Sequence, residues 1–182
     1  MQVLIEQWGL RPDGDPIHGH CLLVLPVLTA EGAAAMLKIG FPEEESEHEH
    51  LVLQRWGGNG AVRLLSADPH HRGLLLERLH STDFSTVSDA EACVVVADLC
   101  RRIHVPALPQ LRPLSLYVDR WTADRTVTDR VIHTDLHYNN VLGGNVVGGN
   151  VLAAEREPWL VIDRKPVNGD PYYEIAPRLW NR

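Results

Sequence analysis

Residues 133–140 read HTDLHYNN, and residues 159–163 read WLVID. In the first stretch Asp135 stands between two histidines and five residues before Asn140. The second stretch is a short apolar run that ends in Asp163, and a Val-Ile pair comes directly before the first stretch. We therefore predict a polar loop that follows a short strand, and a second short strand that ends at an aspartate.

The order of these side chains is typical of the catalytic loop and the metal-binding aspartate of kinase-type phosphotransfer sites. Asp135 is the candidate catalytic base, because a carboxylate there can orient an attacking hydroxyl and accept its proton. Asn140 and Asp163 are the candidate Mg²⁺ ligands, because Mg²⁺ takes hard oxygen donors and shares them with phosphate oxygens. The pattern thus predicts a nucleotide and Mg²⁺ at this site.

A single lysine interrupts an otherwise apolar strand. Residues 20–28 and 33–39 have the pattern of a β-hairpin, and Lys38 is the one charged residue of its second strand. A charged group in an apolar strand requires a partner. Glu49 is the candidate partner in an ion pair, and Glu47 is the alternative. Considered with the polar loop, this lysine is the candidate phosphate-binding group.

Both glutamates lie in a helix that we predict to begin at Pro42 and to end at Gly57. Proline and the acidic residues after it favour the first turn of a helix, and glycine favours its end. Residues 61–65 and 73–79 predict a second pair of strands, joined by the polar turn 67–72.

A longer helix is predicted to start at Ser88, which forms a capping-box sequence with Glu91. The elements together predict an α+β fold with a boundary near residues 79–82. Glu77 and Leu79 precede this boundary. They are candidate cofactor-binding residues, because a connector between two lobes could present its backbone groups to adenine.

Composition limits the class of protein. The chain has 182 residues, of which 45% are apolar, and a formal net charge of −7. These values predict one folded domain or two small lobes, and the acidic balance argues against general nucleic-acid binding. No apolar run is long enough to span a membrane. The three cysteines lack C-x-x-C spacing, which favours a reduced, cytoplasmic compartment.

Two other interpretations stay open on the residues alone. His133, Asp135 and His137, with His18 and His20, could bind a metal in a metal-dependent hydrolase. That interpretation leaves the asparagine, the second aspartate and the lysine without a role. A non-catalytic kinase-like remnant that binds a nucleotide or a partner is the other alternative.

The chain resembles the aminoglycoside phosphotransferases. More narrowly, it is similar to the aminoglycoside/hydroxyurea antibiotic resistance kinases, the group that contains streptomycin 6-phosphotransferase-like enzymes. The segments that carry the resemblance are residues 36–42, 47–49, 60–65, 74–79, 133–137 and 159–176. The resemblance implies a bilobal protein-kinase-like fold. It also implies ATP-dependent, Mg²⁺-dependent phosphorylation of a hydroxyl on a streptomycin-type aminoglycoside.

The same resemblance assigns roles to individual residues. It implies that Asp135 is the catalytic aspartate and that Asn140 and Asp163 bind Mg²⁺. Lys38 would bind phosphate, with Glu49 as its partner.

The resemblance also divides the chain. Residues 1–79 would form a partial N-terminal nucleotide-binding lobe, and residues 80–182 a truncated C-terminal catalytic lobe. Compared with the family, the first strands and the last helices of the chain are expected to be shortened, and residues 143–152 look like an insertion. Glu174 stands where relatives often have aspartate.

Overall fold

The computed structural model describes residues 1–19, 22–42, 46–79, 88–117, 129–134, 151–152, 159–162 and 166–175. The described helices are α1 (Gln2–Gln7), α2 (Glu49–Trp56), α3 (Asp89–Ile103) and α4 (Leu114–Tyr117), with a 3₁₀ helix at Pro171–Ile175. The strands are β1 (Arg11–Pro12), β2 (Ile17–His18), β3 (Leu22–Leu28), β4 (Ala34–Gly40), β5 (Leu64–Asp68), β6 (Gly73–Glu77), β7 (Arg130–Ile132), β8 (Val151–Leu152), β9 (Leu160–Val161) and β10 (Val167–Gly169). Among the described helices, none combines the length and the apolar character needed to cross a membrane.

An antiparallel sheet of six strands dominates the first half of the described chain. Its order is β1-β3-β4-β6-β5, and β2 also pairs with β3. In the β3–β4 hairpin Leu22 lies opposite Gly40, and Leu28 lies opposite Ala34. The predicted hairpin is therefore confirmed, although its first residues, 20 and 21, lie outside the described part. Strand β4 lies between β3 and β6. As in any strand, its side chains alternate between the two faces of the sheet.

Each face of the sheet is covered by a different helix. On one face Leu37 of β4 packs in a cluster with Leu4 of α1. On the other face Leu74 of β6 packs with Leu53 of α2. Lys38 lies directly opposite Leu74 across the β4–β6 pair. Cross-strand partners point to the same face, so the lysine projects toward α2.

Helix α3 begins with the predicted capping box. The Oγ of Ser88 accepts a hydrogen bond from the backbone N–H of Glu91 at 3.4 Å, and the Glu91 carboxylate accepts one from the Ser88 N–H at 3.2 Å. The Glu91 carboxylate accepts hydrogen bonds from the Ser88 hydroxyl, which has the larger effect, and from the Ser88 backbone N–H. Both bonds hold the pKa of Glu91 below its ordinary value. At its other end α3 is fixed by Trp56 of α2, whose Nε1 donates to the carbonyl of Ile103 at 2.7 Å.

Short strand pairs surround the segment that precedes the predicted catalytic loop. Strand β7 pairs with β10, and β8 pairs with β9. Val161 of β9 also forms a parallel bridge with Ala61, which joins this region to the segment before β5. The buried amide of Asn168 in β10 bonds to backbone groups of Leu108 and Leu111. These contacts attach β10 to the segment that follows α3, and β9 to the segment before β5.

The predicted start of α2 was wrong. The helix begins at Glu49 rather than at Pro42, where the chain bends, and residues 46–48 form a turn. Residues 43–45 lie outside the described part. Proline and acidic residues favour a first turn, but a short helix needs tertiary packing to form. That packing begins with the buried Glu49 and continues with Val52 and Leu53, which are fully buried.

The end of the helix agrees with the prediction, because Gly57 caps it in the left-handed conformation with φ 58°. The second strand pair is displaced. Residues 61–65 were predicted as a strand, but β5 covers Leu64–Asp68, because Ala61 bridges to Val161 instead. The pairing of β5 with β6 shifts its register between Leu64 and Ser66.

The capping box gives a test of the fold. Changing Ser88→Ala removes the oxygen that accepts the Glu91 N–H and should lower the free energy of unfolding by about 1 kcal/mol. Ser88→Thr is the matched control, because its hydroxyl can accept the same bond and can still donate to the Glu91 carboxylate. Urea unfolding of both variants is the measurement. Equal losses in the two variants would show that the cap does not stabilise α3.

Candidate active site

A buried ion pair joins the central strand of the sheet to α2. The Nζ of Lys38 lies 2.9 Å from each carboxylate oxygen of Glu49. The two residues are 7% and 3% exposed. The alternative partner, Glu47, is exposed. The pairing that the sequence predicted is therefore present, while its proposed role toward phosphate stays a prediction.

The ion pair lines a cavity of about 310 Å³, which also reaches Arg72 and His50. Partial burial, and then the neighbouring imidazole of His48, lower the pKa of His50 below its ordinary value. This shift favours the neutral form of His50 beside the cavity. The size of the cavity falls in the range of small-molecule sites.

The segment that leads into the predicted catalytic loop is held from two sides. The Nε2 of His133, which is fully buried, donates to the carbonyl of Ile162 at 3.3 Å. The backbone N–H of Thr134 donates to Oε1 of Glu174 at 2.7 Å. The first bond joins His133 to the residue just before Asp163, and the second joins Thr134, just before Asp135, to the 3₁₀ helix.

Thr134 itself has a left-handed backbone, with φ 66°. This conformation is unfavourable for a β-branched residue and costs on the order of 1–3 kcal/mol. The Glu174 carboxylate, which is 2% exposed, offsets part of that cost through its charge-assisted hydrogen bond. Strained backbone of this kind concentrates at functional sites, and here it comes directly before Asp135, whose catalytic role stays a prediction.

The predicted adenine-binding residues lie at the end of β6. Glu77 exchanges two hydrogen bonds with Arg63, because its N–H donates to the Arg63 carbonyl at 3.0 Å and its Oε1 accepts the Arg63 N–H at 2.7 Å. The half-buried Leu79 packs against the cluster that covers the Lys38 face of the sheet. Between them Arg78 donates to the Asp13 carboxylate at 2.7 Å.

Three of the predicted site residues, Asp135, Asn140 and Asp163, lie outside the described residues. His137 of the alternative metal cluster does so too. Sequence patterns assigned no role to Glu174 and did not indicate its contact with Thr134. The only local sign was an acidic residue in the apolar stretch YYEIA, and no pattern indicates which distant N–H such a residue will bind.

Comparison with solved structures defines the fold. A provisionally assigned fructosamine-3-kinase from Thermobifida fusca superimposes on 97% of this chain and 76% of its own length, with a TM-score of 0.57 and 17% identity. The chain thus has a mixed α/β, kinase-like fold.

Sequence comparison narrows the class. Residues 7–182 match the family described as aminoglycoside/hydroxyurea antibiotic resistance kinase. The chain is 39% identical over 98% of its length to a streptomycin 6-kinase from Streptomyces griseus. It is also 39% identical over 97% of its length to a hydroxyurea phosphotransferase from Kitasatospora aureofaciens. The chain belongs to the aminoglycoside/hydroxyurea antibiotic resistance kinase family. It spans 66% and 59% of the length of these two relatives.

The ion pair gives a second test. Changing Lys38→Met leaves the Glu49 carboxylate buried without its cation, and should lower the free energy of unfolding by about 3–5 kcal/mol. The double variant Lys38→Met, Glu49→Leu contains no unpaired charge and should be clearly more stable than either single variant. Urea unfolding of the single and double variants measures the coupling. Losses that simply add would contradict a buried pair.

Proposed function

We propose that this chain carries the phosphotransfer site of an ATP-dependent kinase whose acceptor is a hydroxyl of a streptomycin-type aminoglycoside. The observation that carries the proposal is the buried bidentate pair of Lys38 and Glu49, in a chain that belongs to this kinase family. In kinases with a lysine on a central strand, a glutamate from the neighbouring helix orients that lysine toward the nucleotide phosphates.

The roles follow from the chemistry of each side chain. Asp135 orients the acceptor hydroxyl and takes its proton as the oxygen attacks the terminal phosphorus of ATP, and the bond from that phosphorus to its bridging oxygen breaks to release ADP. Lys38 offsets negative charge on the phosphates, and Glu49 keeps its ammonium group in place. Asn140 and Asp163 would hold Mg²⁺, which supplies further positive charge to the phosphates.

The described neighbours of the loop support this arrangement. Ile162, the residue before Asp163, packs against the cluster of Leu74 and Leu76, on the face of the sheet from which Lys38 projects. The carbonyl of the same Ile162 accepts the hydrogen bond from His133. Asp135 and Asp163 thus each come, in the sequence, directly after one of two segments that contact each other.

The finer architecture belongs to the same proposal. Residues 1–79 form a nucleotide-binding lobe and residues 80–182 a catalytic lobe, with ATP between them. The backbone at Glu77 and Leu79 faces the adenine. The side-chain bonds of Arg78 to the first strands give this connector a fixed position.

The names of the relatives favour one acceptor class. Two relatives are streptomycin 6-kinases, 39% and 37% identical to this chain, and one is a hydroxyurea phosphotransferase. We assign the aminoglycoside because it is polycationic, and a chain with a net charge of −7 attracts such an acceptor over a distance.

The proposed acceptor is tested by an assay with labelled ATP and Mg²⁺, which measures phosphate transfer to streptomycin, to other aminoglycosides and to hydroxyurea. We expect phosphate transfer to streptomycin, and a loss of about 10²–10⁴-fold in Asp135→Asn, which removes the general base. Asp129→Asn is the matched control, because Asp129 is exposed and lies before the loop.

Unchanged turnover in Asp135→Asn would show that the catalytic assignment is wrong. Calorimetry separates the alternative of a non-catalytic remnant. If Mg²⁺·ATP binds but no acceptor in the panel is phosphorylated, the chain binds nucleotide without acting as a kinase, and the proposal fails. Phosphate transfer to hydroxyurea alone would support the kinase activity but would show that the proposed aminoglycoside acceptor is wrong.

A further inference from the structure

Three side chains with metal-binding groups meet at the end of α3. Cys100 and His104 are four residues apart at this end, so they lie on the same face of the last turn. Glu174 reaches them from the 3₁₀ helix. One potential ligand atom from each residue lies within 4.8 Å of the other two. The group combines a thiol, an imidazole and a carboxylate, which the proposed phosphotransfer reaction does not use together.

Two of these atoms lack a hydrogen-bond partner among the described residues. They are Nε2 of His104 and Oε2 of Glu174, and both are buried. They are 4.0 Å apart, which is too far for a hydrogen bond. A buried carboxylate oxygen without a partner is costly, and Glu174 is only 2% exposed. Its other oxygen is already bound to the Thr134 N–H, so the free oxygen faces the cluster.

We propose that Cys100, His104 and Glu174 bind a thiophilic divalent cation of the Zn²⁺ class, with water as the fourth ligand. Bond lengths of about 2.0–2.3 Å place the ligand atoms of a tetrahedral zinc site about 3.3–3.6 Å apart. The observed nitrogen-to-oxygen separation of 4.0 Å therefore needs only a small closure. On binding, the Cys100 thiol loses its proton to solvent and the sulfur–metal bond forms, without any redox change.

This site is chemically distinct from the proposed Mg²⁺ site. Mg²⁺ prefers oxygen ligands, whereas a thiolate with an imidazole selects softer ions. A metal at the cluster would join α3 to Glu174, and through Glu174 to the backbone of Thr134. It would thereby brace the segment that leads into residue 135, independently of whether a nucleotide is bound.

Titration of the full chain with Co²⁺ tests the site, because a cobalt–thiolate bond gives a charge-transfer absorption that histidine and carboxylate ligands do not. We expect one equivalent of Co²⁺ to produce this band, and excess Zn²⁺ but not Mg²⁺ to displace it. Cys100→Ser should abolish the band, and His104→Gln should weaken Co²⁺ binding at least tenfold. Cys93→Ser, which changes an exposed cysteine of the same helix, is the matched control and should keep the band.

A second measurement does not depend on the absorption band. At a free Zn²⁺ concentration about a hundred times its dissociation constant, the thermal midpoint should rise by about 5 °C or more. The rise should fall to about half or less in His104→Gln, whose binding is at least tenfold weaker, and should be unchanged in Cys93→Ser. The proposal is overturned if no thiolate band appears, if the band survives in Cys100→Ser, or if Zn²⁺ stabilises the His104→Gln variant as much as the unchanged chain.

Discussion

The burial of one lysine in the middle of a sheet constrains most of this structure. Lys38 lies on the central strand, and Glu49 from the first turn of α2 supplies the opposite charge that its buried ammonium group requires. That contact fixes where α2 begins and which of its sides faces the sheet. Trp56 at the other end of α2 then binds the carbonyl of Ile103, so the position of α3 follows from the same helix.

A second constraint acts where the chain enters the predicted catalytic loop. Thr134 has a backbone conformation that its side chain disfavours, and the buried Glu174 carboxylate holds it through a short hydrogen bond. The neighbouring His133 binds the carbonyl of Ile162, whose side chain packs under the Lys38 face of the sheet. The two constraints therefore meet at Ile162, which contacts both the sheet and the loop segment.

Local patterns predicted what local chemistry determines. The capping box at Ser88, the β3–β4 hairpin and the glycine cap of α2 were all evident from short stretches of sequence. The start of α2 was not, because it depends on packing by Val52 and Leu53 and on the distant Lys38. The hydrogen bond from Thr134 to Glu174 joins residues that are 40 positions apart in the chain. Nothing in the residues around either one specifies such a contact, and the roles of Asp135, Asn140 and Asp163 remain predictions from the motif and the family.

A crystal structure of the chain with Mg²⁺ and a non-hydrolysable ATP analogue would test the proposed phosphotransfer site most directly. We expect Nζ of Lys38 to keep its contact with Glu49 and to lie within hydrogen-bonding distance of a phosphate oxygen. We also expect the carboxylates of Asp135 and Asp163 across the same cleft, with the metal bound by Asn140 and Asp163. A nucleotide bound elsewhere, or a lysine that contacts only Glu49 while the phosphates lie away from it, would contradict the proposed site.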